Sequence, residues 1–96
     1  MLVVITYDVC TGTPAGKTRL RKVSKACQNY GQRVQNSVFE CCVDYNSFLK
    51  LKKQLEGLID TAADSLRFYN LGNKWESKIE HMGAKAGYNP QDLLLL

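Results

Sequence analysis

Residues 2–7, Leu-Val-Val-Ile-Thr-Tyr, form a short and nearly unbroken apolar run rich in β-branched side chains. Such a run predicts a buried central strand that stops at Asp8. Thr11-Gly12-Thr13-Pro14 then reads as a loop, with Thr13 as N-cap and Pro14 at the first helical position, where its missing N–H costs nothing. From 17 to 30 the period becomes helical: Leu20, Val23, Cys27 and Tyr30 make one apolar stripe, while Lys17, Arg21, Lys25 and Gln28 point away from it. Gly16 falls in the first turn and weakens it, and Gly31 sits where a helix C′ residue is expected.

Residues 32–43 alternate between extended stretches at 33–35 and 38–43, split by Asn36-Ser37, which predicts a hairpin or bulged ribbon packing Val34, Val38 and Phe39. Residues 44–47 are polar and rich in N-cap types. The helix that follows gathers Phe48, Leu51, Leu55, Leu58 and Ile59 on one side and Lys50, Lys52, Lys53 and Glu56 on the rest. After a small, polar stretch at 60–64, Leu66, Phe68 and Asn70 alternate with Arg67, Tyr69 and Leu71 in a strand ending at Gly72. A further short strand is expected at 78–82, and the chain closes on an apolar tail at 93–96 that calls for a partner surface.

The order is therefore β-α-β-β-α-β with an added terminal strand, in a single domain over 1–96. This is an α+β, ferredoxin-like arrangement, with a four-stranded antiparallel sheet carrying both helices on one face. The other face lacks a cover, and a second copy is its economical one, so a homodimer is expected, with 78–96 contacting the partner subunit.

Length and charge narrow the picture. With 96 residues there is room for one small core. No segment reaches the roughly 20 apolar residues that span a bilayer. The opening run is too short for a secretory core and has no basic residues before it, so a cytoplasmic protein with no membrane partner is expected. Cys10, Cys27, Cys41 and Cys42 lack the paired spacing of zinc or thioredoxin-like sites and read as small buried hydrophobes. Cys41 and Cys42, being adjacent, are expected on opposite faces of their strand. Thirteen basic against nine acidic residues give a net charge of +4, which favours anionic partners without naming one.

Asp8 is the leading candidate for chemistry. At the end of a buried strand it either satisfies nearby backbone N–H groups or offers a carboxylate to a cation. Magnesium keeps several waters and needs only one or two carboxylates beside substrate phosphates, and a two-fold dimer supplies Asp8 twice. The first helix carries Lys17, Arg19, Arg21, Lys22 and Lys25; this is a solvated basic face or, with Arg33, the rim of a phosphate-binding groove. Arg19 departs from the solvated face, because on the helical wheel it leans toward the apolar stripe. Tyr7 and Phe39 are expected in the core or an interface, with substrate contact as the lesser alternative. Glu40, Asp44, Asp60 and Asp64 are weaker ligand candidates that also suit caps and turns, and His81 supports no catalytic constellation.

Taken together, Val-Ile-Thr-Tyr-Asp at 4–8, Arg19-Leu20-Arg21, the string from Gly31 to Glu40 with its Arg-Val-Gln-x-Ser-Val-Phe-Glu core, and the stretch from Asp64 to Gly72 resemble the small CRISPR-associated protein two family. The resemblance covers nearly the whole chain. It implies a ferredoxin-like homodimer in which a fifth strand of each subunit completes the partner's sheet. It also implies a divalent ion, usually magnesium (Mg2+), bound by Asp8 of both subunits, which makes Asp8 at once metal ligand and catalytic residue. Tyr7, Arg19, Arg21, Arg33 and Phe39 occupy positions the family associates with activity or substrate contact. The implied activity is endonucleolytic cleavage of double-stranded DNA or RNA in CRISPR adaptation (spacer acquisition) and antiviral defence. The alternative is a DNA-binding scaffold without chemistry that bridges the CRISPR-associated integrase.

Overall fold

A computed structural model describes residues 1–84; the tail expected at 93–96 lies outside them. Strand β1 (Leu2–Asp8) leads through a loop into helix α1 (Pro14–Gln28). Strands β2 (Gly31–Gln35) and β3 (Val38–Cys42) follow, then helix α2 (Tyr45–Leu58), strand β4 (Ser65–Gly72) and a single 3-10 turn at Glu76–Lys78. The sheet order is β2-β3-β1-β4 with every neighbour antiparallel, which is the ferredoxin-like arrangement.

Local chemistry explains the helix ends. Thr13 caps α1 by accepting from the Gly16 N–H at 3.1 Å, with Pro14 at the first position, and Asp44 caps α2 by accepting from Ser47 N–H at 2.7 Å. Gly16 is required there by space, because a Cβ would stand 1.7 Å from the carbonyl oxygen of Cys10. Helix α1 ends two residues before the expected Tyr30, and Gly31 is the first residue of β2 instead of a left-handed cap. Its lack of a side chain serves close strand packing: a Cβ would meet the Glu40 carbonyl oxygen at 1.9 Å.

Strand alternation divides the sheet into two faces. Val3, Ile5, Tyr7, Phe39 and Cys41 point to the helices and pack with Val23, Ala26, Cys27, Leu51 and Leu55 in the main core. On the opposite face Leu2 and Cys42 join Trp75, with Leu71 and Ile79 against them. Cys41 and Cys42 thus do take opposite sides. Cys27 joins the core, and its contact with Cys41, followed by burial, pushes the thiol up. Cys10, in contrast, is exposed in the loop after β1, against the expectation that all four are buried.

The strand expected at 78–82 is not paired within the single chain. Lys78 closes the 3-10 turn, and among the described residues no ladder pairs the stretch. A strand needs a neighbouring edge, and here the chain turns back instead, so that Trp75 and Ile79 cover one end of the helix-free face. The remainder of that face, with Val4, Thr6 and Val38 half-buried and Tyr69 45% exposed, stays open in the single chain.

Candidate functional site

Asp8 ends β1 on the helix-free face, because Tyr7 before it turns to the helices. Its register partner is Ser65 of β4, while Thr6 lies between Val38 of β3 and Arg67 of β4. These strand ends enclose an open groove of about 520 Å³ lined by Thr6, Tyr7, Asp8, Ser37, Ser65 and Arg67. The Asp8 carboxylate is exposed, and the hydroxyls and the guanidinium around it offer oxygen donors and a positive charge. Arg67 donates from Nη1 to the Tyr69 hydroxyl at 3.1 Å, and its guanidinium carbon lies 6.0 Å from the Tyr69 ring centroid. Among the described residues no carboxylate pairs with Arg67.

Tyr7 and Arg19 converge elsewhere. The Tyr7 hydroxyl donates to Asp64 Oδ2, Arg19 Nε donates to the same oxygen at 2.8 Å, Arg19 Nη2 donates to Oδ1 at 3.2 Å, and the Asp60 N–H donates to Oδ2 at 3.1 Å. The Asp64 side chain is fully enclosed. Burial pushes its carboxyl up, but the hydrogen bonds from Arg19, Tyr7 and the Asp60 backbone outweigh burial and hold it below the ordinary carboxylate range. Burial first, and then the bond to Asp64, push the Tyr7 phenol up to about 12. The lean of Arg19 toward the apolar stripe is therefore answered by an internal carboxylate.

Of the expected site residues, then, only Asp8 presents its functional group to the groove. Phe39, expected in the core with substrate contact as the lesser alternative, is fully buried under the helices, and Tyr7 has its ring in the core and its hydroxyl bonded to Asp64. Arg19 is likewise occupied. Arg21 and Arg33 form a second, separate groove of about 350 Å³ between α1 and the outer edge of β2, with Lys17, Lys25, Ser24 and Gln28. There Arg33 Nε donates to the Asn36 carbonyl at 2.8 Å. Arg67 is the residue that sequence reasoning missed. The signal was present, since Arg67 alternates with inward Leu66 and Phe68 and so shares the face of Asp8 once β4 is paired with β1.

No group of three or more His, Cys, Asp or Glu residues that could hold a metal occurs among the described residues. Asp64 has its oxygens filled, Asp44 caps α2, and Asp60 Oδ1 accepts from the Ala62 N–H at 3.0 Å. In the groove itself Asp8 is the one carboxylate among the lining residues, beside hydroxyls, a donor set that fits a largely hydrated hard cation when a second carboxylate is brought from another molecule.

A family model described as CRISPR associated protein Cas2 matches residues 1–79. The chain belongs to the Cas2 family. It is 59% identical to "CRISPR-associated endonuclease Cas2" of Halalkalibacterium halodurans over 99% of each chain. It is 57% identical to "CRISPR-associated endoribonuclease Cas2" of Chlorobaculum tepidum, over 97% of this chain and 94% of that one. The crystal structure of Streptococcus pyogenes Cas2 at pH 6.5 aligns with a TM-score of 0.80 and 54% identity, covering 86% of this chain and all of the other. The chain is thus a CRISPR-associated protein of nuclease type, and its Cas2 fold carries Asp8 on the helix-free face of the sheet.

Proposed function

We propose that two copies of the chain form a divalent-metal-dependent endonuclease of CRISPR adaptation, with Asp8 of each copy holding one magnesium ion and nucleic acid as substrate. The observation that carries this reading is the exposed Asp8 carboxylate sharing its groove with Arg67 on a sheet face that the single chain leaves half covered. When bound, magnesium supplies Lewis-acid polarisation of a phosphoryl oxygen and a water of lowered pKa. The chain's own residues do the rest. Asp8 provides the charged oxygens that keep the cation at the strand end. Arg67 binds the non-bridging oxygens of the phosphate and holds it in the groove. Ser37 and Ser65 offer hydroxyls that orient bound water or substrate. The names of relatives, an endonuclease and an endoribonuclease, support both RNA and other nucleic acid as substrate.

The test is cleavage of RNA and duplex DNA by the wild type and by Asp8→Ala protein across a magnesium titration, with sedimentation to establish the dimer. Loss of cleavage in Asp8→Ala supports the reading; full activity in that variant overturns it.

A second reading has its own support. The basic groove of Lys17, Arg21, Lys25 and Arg33 lies apart from Asp8, so the surface suited to a nucleic-acid backbone extends beyond the candidate metal site. This favours a DNA-binding scaffold, for which the CRISPR-associated integrase is the expected partner. Spacer integration that survives Asp8→Ala but fails after charge reversal at Arg21 and Arg33 selects it. Among the described residues no helix is long and apolar enough to cross a membrane.

A further inference from the structure

Asp64 joins three parts of the chain that are remote in sequence. Tyr7 from the end of β1, Arg19 from α1 and the Asp60 backbone from the loop before β4 all donate to its enclosed carboxylate. Its position in the fold gives this cluster a consequence. Tyr7 immediately precedes Asp8, Asp64 immediately precedes Ser65, and Asp8 and Ser65 are register partners at the very end of the β1–β4 ladder. Strand ends fray unless something holds them, because the last pair has ladder bonds on one side only. Here the holding group lies on the helix side, with Tyr7 one residue inside the end of β1 and Asp64 in the loop one residue before β4. Tyr7 is also held through its backbone, whose N–H donates to the Ser37 carbonyl at 2.9 Å, and Ser37 lines the Asp8 groove.

We infer that Tyr7, Arg19 and Asp64 are positioning residues, which clamp the paired ends of β1 and β4 from the core side and so fix where the Asp8 carboxylate stands in the groove. This rests on the proposed role of Asp8 and extends it. None of the three touches substrate. A small displacement of a reacting group costs on the order of a hundredfold in rate, which makes a clamp of this kind visible in turnover.

The experiment uses the full chain with Tyr7→Phe, which removes one hydroxyl and leaves the core ring, beside Arg19→Lys and Asp8→Ala. Turnover and KM on a nucleic-acid substrate, manganese binding read by electron paramagnetic resonance, and amide hydrogen exchange are measured together. The clamp predicts that Tyr7→Phe lowers kcat by roughly tenfold or more with KM unchanged. It further predicts weaker manganese binding and faster exchange at residues 7–9 and 65, with exchange at Ile5 and Phe39 as in the wild type. A raised KM with unchanged kcat would instead make Tyr7 a substrate contact and overturn the inference. Unchanged kcat, manganese binding and strand-end exchange would reduce the cluster to bulk stability and overturn it as well. Asp8→Ala separates the two proposals: if that variant cleaves at the full rate, the metal reading fails, while the exchange of Tyr7→Phe still reports on the clamp.

Discussion

Tyr7 and Asp8 are neighbours in the chain, yet the Tyr7 hydroxyl is hydrogen-bonded to buried Asp64 under the helices while the Asp8 carboxylate faces the open groove on the other side of the sheet. One side chain is anchored in the core and the next is presented to solvent, so the first can hold the second in place from the far side of the sheet.

The Tyr7–Asp64 bond makes stability depend on pH at both extremes. Asp64 has its pKa lowered by folding, so its contribution is complete above the unfolded value of about 4 and fades as pH falls through the lower folded value. Tyr7 has its pKa raised, so its contribution is complete below about 10 and is lost as pH rises toward about 12. Urea midpoints should therefore fall below pH 4 and again above pH 10, and Tyr7→Phe should flatten the alkaline limb and, by removing one of the bonds that keep Asp64 ionised, lessen the acid limb as well. An alkaline limb unchanged in Tyr7→Phe would remove Tyr7 as its source.

Asp8→Ala should leave stability within about 0.5 kcal/mol of the wild type, because the side chain is exposed and caps nothing among the described residues. Cleavage should nevertheless fall below detection. Thermal melts run beside the cleavage assay distinguish this from unfolding.

Arg67→Gln should weaken nucleic-acid binding and reduce the dependence of log K on log salt by about one, the signature of one lost phosphate contact. Arg19→Gln should behave oppositely, destabilising the fold by breaking an enclosed ion pair while leaving the salt slope alone. Titrations at several salt concentrations decide between them.

Phe39→Ala should cost about 3–5 kcal/mol, as expected for a fully buried aromatic, with loss of activity following the fraction unfolded. Gly31→Ala should cost about 1–3 kcal/mol, since its new methyl group must push β2 off the Glu40 backbone. Chemical denaturation of both variants gives the values directly.

Much of this arrangement is written in the local pattern. The apolar run ending at Asp8 announced β1, Thr13 and the polar stretch 44–47 announced the helix starts, and the adjacent Cys41 and Cys42 could only split between faces. What the pattern withheld are the long-range pairings. Arg19 meets Asp64 across 45 positions and Tyr7 meets it across 57, and no periodicity encodes a bond between two polar side chains that far apart. Arg67 was hidden for a different reason. An outward arginine on a half-exposed strand is ordinary, and it becomes notable only when the β1–β4 register brings it beside Asp8. The segment after β4 has no neighbouring edge within one chain: residues 78–82 suit a strand, and in the lone subunit Ile79 packs with Trp75 and the Leu2–Cys42 patch.

That patch gives the molecule a built-in optical probe. Trp75 is the single tryptophan in the sequence, and it is 8% exposed where the chain folds back beneath Leu2 and Cys42. Excitation at the red edge of the ultraviolet band therefore reports on one place only, the margin between the covered and uncovered halves of the helix-free face. Emission should shift to longer wavelength if the segment peels away to pair with another copy and leaves the indole in water. The timing of that shift, followed after dilution, would register rearrangement of this face without any label.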